Sequence, residues 1–183
     1  MTIPTPAIEA LGDTLPDELK DVRLNLTSVL VGENLQPAQA FGVALAAAAF
    51  VRCQPLVVAL EADLRAGDPA AAAPVISDAT AAAGLMAMNT VYYRFRHMLG
   101  KESYEARPPR LRMSRMAQPA TSKADFELMS LGCAALAGCE FCLKNHEASL
   151  LHLGVSEDAC HDAVRIAAVI NAAACGLPFF PVG

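Results

Sequence analysis

Residues 127–156, "ELMSLGCAALAGCEFCLKNHEASLLHLGVS", read as an alanine- and leucine-rich helix, a break at Gly138 and a second helix closed by a glycine. Alanine is the strongest helix former and a poor strand residue, so this pattern argues for helices packed on helices. The same order occurs upstream in "AFGVALAAAAFVRCQPLVVALEADLRAGDP", residues 40–69. Placing Cys53 over Cys142 sets Phe50 over Cys139 and Val57 over His146. In that register the first copy keeps the packing and lacks the chemistry. The expectation is an all-α fold, a compact helical bundle in a single domain over residues 1–183. It holds a structural half-repeat at about 16–100 and a half with candidate chemistry at about 120–176.

Proline and glycine punctuate the remaining patterns. Pro16 opens a helix whose Leu19, Val22, Leu26 and Val29 form one stripe. Pro37 and Pro55 open two more, the latter closed by Gly67. The stretch from Asp68 to Leu99 is too long for one undisturbed helix, with Pro74 and Gly84 as candidate breaks. Residues 101–119, with Pro108, Pro109 and Pro119 among many charges, read as a linker. Ser122 and Ser156 are the natural caps of the helices that follow them.

The composition is 54% hydrophobic and 18% charged, which suits a chain able to bury a real core. A net charge of −5, with no basic cluster interleaved with aromatics, argues against nucleic acid as a partner. The amino terminus lacks a basic region followed by an apolar stretch, so it does not resemble a signal peptide. The most apolar window, "RIAAVINAAACGLPFFPVG", is interrupted by Asn171, Pro178 and Pro181 and falls short of a membrane span. A cytoplasmic protein without a membrane partner is expected.

Six cysteines occur, at 53, 133, 139, 142, 160 and 175. Cys53, Cys133 and Cys175 lie in apolar surroundings and read as inert core thiols. Cys160 and His161 have no further ligand-type neighbour at helical spacing. Cys139 and Cys142 differ, because residues three apart share one helix face. Their Cα atoms would lie roughly 5–6 Å apart, within disulfide range. Cys139 would occupy the first turn, where the helix dipole favours a thiolate. His146, four residues beyond Cys142, could take its proton. Zinc is the competing use of the motif, in a non-catalytic helical interaction module. Cys139 to His146 spans roughly 10 Å of helix, too far for one ion to hold all three, so no metal site is expected.

The segment "FELMSLGCAALAGCEFCLKNHE" resembles the alkyl hydroperoxide reductase D family, within the wider carboxymuconolactone decarboxylase-like superfamily. The family signature is a glutamate, eleven intervening residues, then C-x-x-C-x-x-x-H, and it falls on Glu127, Cys139, Cys142 and His146. "MAMNTVYYRFR" and "RPPRLRM" are similar to the family as well. The resemblance implies an all-helical protein, commonly a homotrimer, that reduces peroxides through the cysteine pair as a redox disulfide. It also implies no tightly bound cofactor and a dihydrolipoamide-type dithiol as reductant. The implied partners are a lipoyl-bearing acyltransferase and a peroxiredoxin, alkyl hydroperoxide reductase C.

Glu127 enters by the resemblance alone. On one unbroken helix it would lie about 18 Å from Cys139, so the chain must turn near Gly138 and fold Glu127 back towards His146. The sequence departs from the family at Phe141, where relatives carry a histidine, so the expected proton relay rests on Glu127 and His146. Glu140 and Glu147 read as solvated helix-face charges.

Overall fold

Helix starts are set by proline and by side-chain caps. The computed structural model describes residues 2–177; Pro178 and Pro181 of the apolar terminal window lie outside them. Among the described residues the α-helices are α1 (Pro6–Gly12), α2 (Lys20–Ser28), α3 (Pro37–Phe50), α4 (Gln54–Gly67) and α5 (Pro69–Leu99), then α6 (Glu102–Glu105), α7 (Ser114–Ala117), α8 (Lys123–Ala137), α9 (Glu140–His152) and α10 (Glu157–Gly176). Short 3-10 turns, Asp17–Leu19 and Val29–Val31, flank α2, and the described residues contain no strand. The all-α bundle is what the alanine-rich composition requires. Ser122 caps α8 through a reciprocal box with Asp125, and Ser156 accepts from the Ala159 N–H at the start of α10.

Helices α3 and α8 cross at the centre, each meeting α5 and α10. The crossing is close because each helix offers a glycine to the other. A Cβ on Gly42 would lie 2.5 Å from the Met129 side chain, and one on Gly132 would lie 3.2 Å from Val43. The α3 side of this crossing is rich in buried alanine, and Phe41 and Phe126 are the largest fully buried side chains. Small side chains let helix axes approach, and the apolar area removed from water supplies the driving force.

Several expectations are corrected. The stretch from Pro69 to Leu99 is one helix of 31 residues, despite Pro74 and Gly84. Pro74 sits in the second turn and forfeits one backbone hydrogen bond. Burial of Ala72, Val75, Ala79, Ala82, Ala83 and Met86 against the bundle outweighs that local cost, and a side chain at Gly84 would meet only open space. Helix α1 has no counterpart in the sequence reading. Its first-turn N–H groups of Ala7 and Ile8 donate to the buried Asp63 carboxylate at 2.9 Å each, a cap supplied from α4. Cys175 is exposed, because the buried stripe of α10 runs through Ile166, Ile170 and Ala173 and leaves position 175 outside.

The register of the two similar segments also shifts by one turn. Cys53 is the N-cap of α4, with φ −90 and ψ 89; Cys139 is the N-cap of α9, with φ −93 and ψ 91. Each follows a residue with positive φ, Arg52 at 60 and Gly138 at 61. The Cys53 N–H donates to the Ala48 carbonyl, and that of Cys139 to Ala134. Cys53 therefore matches Cys139 and not Cys142. The sequence alignment paired identical letters, whereas the backbone pairs identical turns.

Segment 101–119 carries the short helices α6 and α7 and is pinned at its far end. Asp78 of α5, fully buried, accepts from the N–H groups of Ala120 and Thr121, the Thr121 hydroxyl and Arg115. Burial alone would raise the Asp78 carboxyl, but these hydrogen bonds prevail and hold it below its usual range. This anchor fixes where α8 begins.

Candidate active site

Two side-chain pairs, Glu127–His146 and Cys139–Cys142, are held by helices α8 and α9 and the turn between them. Gly138, with φ 61, adopts the left-handed conformation that ends α8 and sends the chain back along it as α9. That reversal carries residues 127 and 146 into contact. The Glu127 Oε2 and His146 Nδ1 atoms lie 2.5 Å apart, in a pair with side chains only 5% and 10% exposed. Glu127 Oε1 is 2.7 Å from Lys123 Nζ, one turn earlier on α8. Burial acts to raise the Glu127 carboxyl. The His146 and Lys123 hydrogen bonds and charges outweigh it and leave the carboxyl below its usual range.

Cys139 and Cys142 are joined as a disulfide, with Cα atoms 5.3 Å apart. Cys139 is the N-cap and is fully buried; Cys142 lies in the first turn of α9 and is 5% exposed. The Cys142 N–H donates to Cys139 Sγ at 3.3 Å, so the helix N-terminus points at that sulfur. A backbone donor and a helix dipole both favour negative charge on it. His146 follows Cys142 by one turn of the same helix. Among the described residues nothing hydrogen-bonds its Nε2, while Nδ1 faces the Glu127 carboxylate. The tautomer with hydrogen on Nδ1 presents a free lone pair on Nε2, the state that can accept a proton.

Phe141, between the two cysteines, stacks on Tyr93 of α5, with ring centres 5.6 Å apart. Tyr93, Phe141, Arg96, His97 and Glu105 line a cleft of about 310 Å³. Arg94, also on α5, donates to the Ala137 carbonyl and holds the end of α8 next to the turn. Glu140 is solvated, paired with Lys144 at 2.5 Å. The remaining buried thiols are elsewhere: Cys133, fully buried on α8, is pushed up to about 12 by burial and has no thiolate at neutral pH. Among the described residues no group of three or more His, Cys, Asp or Glu side chains is placed to hold a metal ion.

The structure thus brings together the four residues of the sequence motif and adds one that sequence reasoning missed. Lys123 carried a readable signal, an opposite charge four residues before Glu127 on the same helix. The spacing could not show that the pair would be buried against a histidine from another helix.

The sequence has counterparts among known proteins. Residues 103–175 match the carboxymuconolactone decarboxylase family. Over 172 residues the chain is 53% identical to a protein of Anaeromyxobacter dehalogenans (strain 2CP-C) named alkyl hydroperoxide reductase AhpD, covering 93% of this chain and 90% of that one. Proteins of the same name in Rhodopseudomonas palustris (strain BisB18) and Rhodospirillum centenum (strain ATCC 51521 / SW) are 45% and 44% identical. These alignments cover 93% and 92% of this chain and 93% and 89% of theirs.

Proposed function

The chain belongs to the alkyl hydroperoxide reductase AhpD family, and from that premise we propose that it is a dithiol peroxidase and disulfide reductase working through Cys139 and Cys142. The observation that carries this reading is the buried Glu127–His146 pair one helical turn from the cysteine pair.

In the reduced protein, His146 accepts the Cys142 proton at Nε2 while Glu127 holds Nδ1–H. The Cys142 thiolate attacks the outer oxygen of an alkyl hydroperoxide and breaks the O–O bond, and the proton leaves with the alkoxide as an alcohol. Cys142 is then a sulfenic acid. The Cys139 thiol gives up its proton and attacks that sulfur, forming the disulfide, and the hydroxide that leaves takes up the proton as water. Each cycle oxidises two thiols and reduces one peroxide to alcohol and water. The assignment of Cys142 as the attacking thiol rests on its place one helical turn before His146, whereas Cys139 is at the N-cap, where its thiolate is stabilised. A dihydrolipoamide-type dithiol, carried by a lipoyl-bearing acyltransferase, restores the pair by exchange. The reduced pair also passes electrons on to a peroxiredoxin of the alkyl hydroperoxide reductase C type, closing to the disulfide as the partner's disulfide is reduced to thiols, and we place both exchanges in the cytoplasm, in a homotrimer.

The test is a cysteine-resolved alkylation map of the reduced protein after one equivalent of cumene hydroperoxide. Loss of reactivity at Cys139 and Cys142 alone, with recovery on adding dihydrolipoamide, is expected. Persistence of both thiols alongside unreacted hydroperoxide overturns the reading.

A further inference from the structure

We infer that Lys123 is a positioning residue of this site, which fixes Glu127 as a carboxylate oriented on His146 and so commits the thiol proton to the far nitrogen of the imidazole. The inference rests on the dithiol chemistry proposed above and deepens it.

The geometry leaves Glu127 little freedom. One carboxylate oxygen is held by Lys123 at 2.7 Å and the other by His146 at 2.5 Å. A carboxylate with a side chain 5% exposed needs such partners, because burial otherwise favours its protonated form. A protonated Glu127 could donate to Nδ1, and the imidazole would then carry its hydrogen on Nε2, where it must accept one. The ammonium removes that alternative. From its own helix Glu127 faces Lys123, and from α9 it faces His146.

Lys123 is itself restrained. Its Nζ also donates to the Met116 carbonyl of α7 at 3.1 Å, and the neighbouring Arg115 is bound to buried Asp78 at 2.7 Å. A lysine whose side chain is 43% exposed would ordinarily sample many rotamers, and here it is tethered at two points. The connection therefore runs from α5, through the end of the 101–119 segment, to the cysteine pair. An arginine can keep both the charge and the contact with Glu127, whereas methionine keeps only the apolar stem.

The experiment follows alkylation of Cys142 by iodoacetamide in the fully reduced protein across pH, read by mass spectrometry. Wild type is compared with Lys123→Met, Lys123→Arg, Glu127→Gln and the Lys123→Met/Glu127→Gln double variant. Lys123→Met is expected to slow alkylation about tenfold on the acid side and to converge with wild type within about twofold at alkaline pH. Lys123→Arg restores the wild-type profile. In the Glu127→Gln background, Lys123→Met adds less than about a twofold change, because it acts through that carboxylate. A loss of equal size at every pH, no change at all, failure of Arg to restore, or the full loss in the Glu127→Gln background each overturns the inference. Should Lys123→Met fail to fold, Lys123→Gln removes the charge, keeps a donor and is read in the same way. Hydroperoxide is not a reagent here, so a protein that alkylates as expected and yet spares peroxide would sink the proposed reaction and leave the role of Lys123 standing.

Discussion

Helices α3–α4 and α8–α9 are two versions of one local structure with opposite contents. Both begin with a reciprocal cap, Gln36 with Gln39 and Ser122 with Asp125, and both turn through a left-handed residue into a cysteine N-cap. In the shared register Phe41, Leu56 and Leu60 stand where Glu127, Cys142 and His146 stand. All three are essentially inaccessible, so the first pair spends these positions on apolar packing and the second on a polar constellation. Even the turns differ in strain. Arg52 adopts positive φ with a side chain, at about 1–2 kcal/mol, whereas Gly138 does so freely. Backbone form is therefore shared by both pairs, and the proposed chemistry rests on the three positions at which their contents differ.

The sharpest way to break the comparison is to change the matched sulfurs. Under the proposed chemistry Cys139→Ser abolishes catalytic turnover of hydroperoxide by removing the resolving thiol, whereas Cys53→Ser leaves turnover intact, because serine is a good N-cap. A peroxide assay on both variants decides this, and equal losses would mean that Cys53 shares in the chemistry. Next comes the pair His146 and Leu60. His146→Ala is expected to lower turnover about a hundredfold or more, the usual worth of a proton-transfer group, with a small effect on folding. Leu60→Ala should do the reverse, costing about 2–5 kcal/mol of stability and leaving the chemistry of the remaining folded protein unchanged. Urea titration and steady-state rates on both variants would expose any mixing of the two roles.

A smaller effect separates Glu127 from Phe41, which does not titrate. The Glu127 carboxyl lies below its ordinary value of 4.5 in the folded protein, held there by His146 and Lys123 against the pull of burial. Its contribution to stability is therefore complete above the unfolded value and is lost as pH falls through the folded one. Chemical denaturation below about pH 5 should show a shallower loss of stability in Glu127→Gln than in wild type, and parallel curves would contradict the pairing. The smallest functional effect belongs to Leu56→Cys, which places a second thiol three residues after Cys53 at the same helix start. A disulfide between Cys53 and the introduced thiol should form under mild oxidation with no gain in peroxidase activity, since Phe41 and Leu60 offer no base. Peptide mapping after oxidation checks the bridge.

Much of the architecture was readable because it depends on neighbours in the chain. Prolines at 37 and 55, serines at 122 and 156 and the glycine at 138 act on the turn they occupy, and the helices begin and end there. The 5.3 Å separation of the Cys139 and Cys142 Cα atoms is likewise a property of a single turn. The continuous α5 was not readable, since Pro74 disfavours it locally and only burial against several helices overrides that preference. The exposure of Cys175 depended on which stripe of α10 the bundle covers. The register of the repeat was misread because a matching pair of cysteine letters outweighed the capping pattern in a sequence with many alanines.

An all-helical chain with two thiols at one helix start and a histidine one turn later follows from the residues and their spacing, because backbone geometry fixes distances within a helix. Packing alone brings Glu127 onto His146 and buries the Lys123–Glu127 pair that helix spacing offers. Those contacts depend on the angle at which α9 returns along α8 and on the anchoring of the preceding segment by Asp78, both products of contact among helices distant in sequence. Local order is set by torsions within a few residues. The environment that shifts a carboxylate is set by what the folded bundle excludes from water.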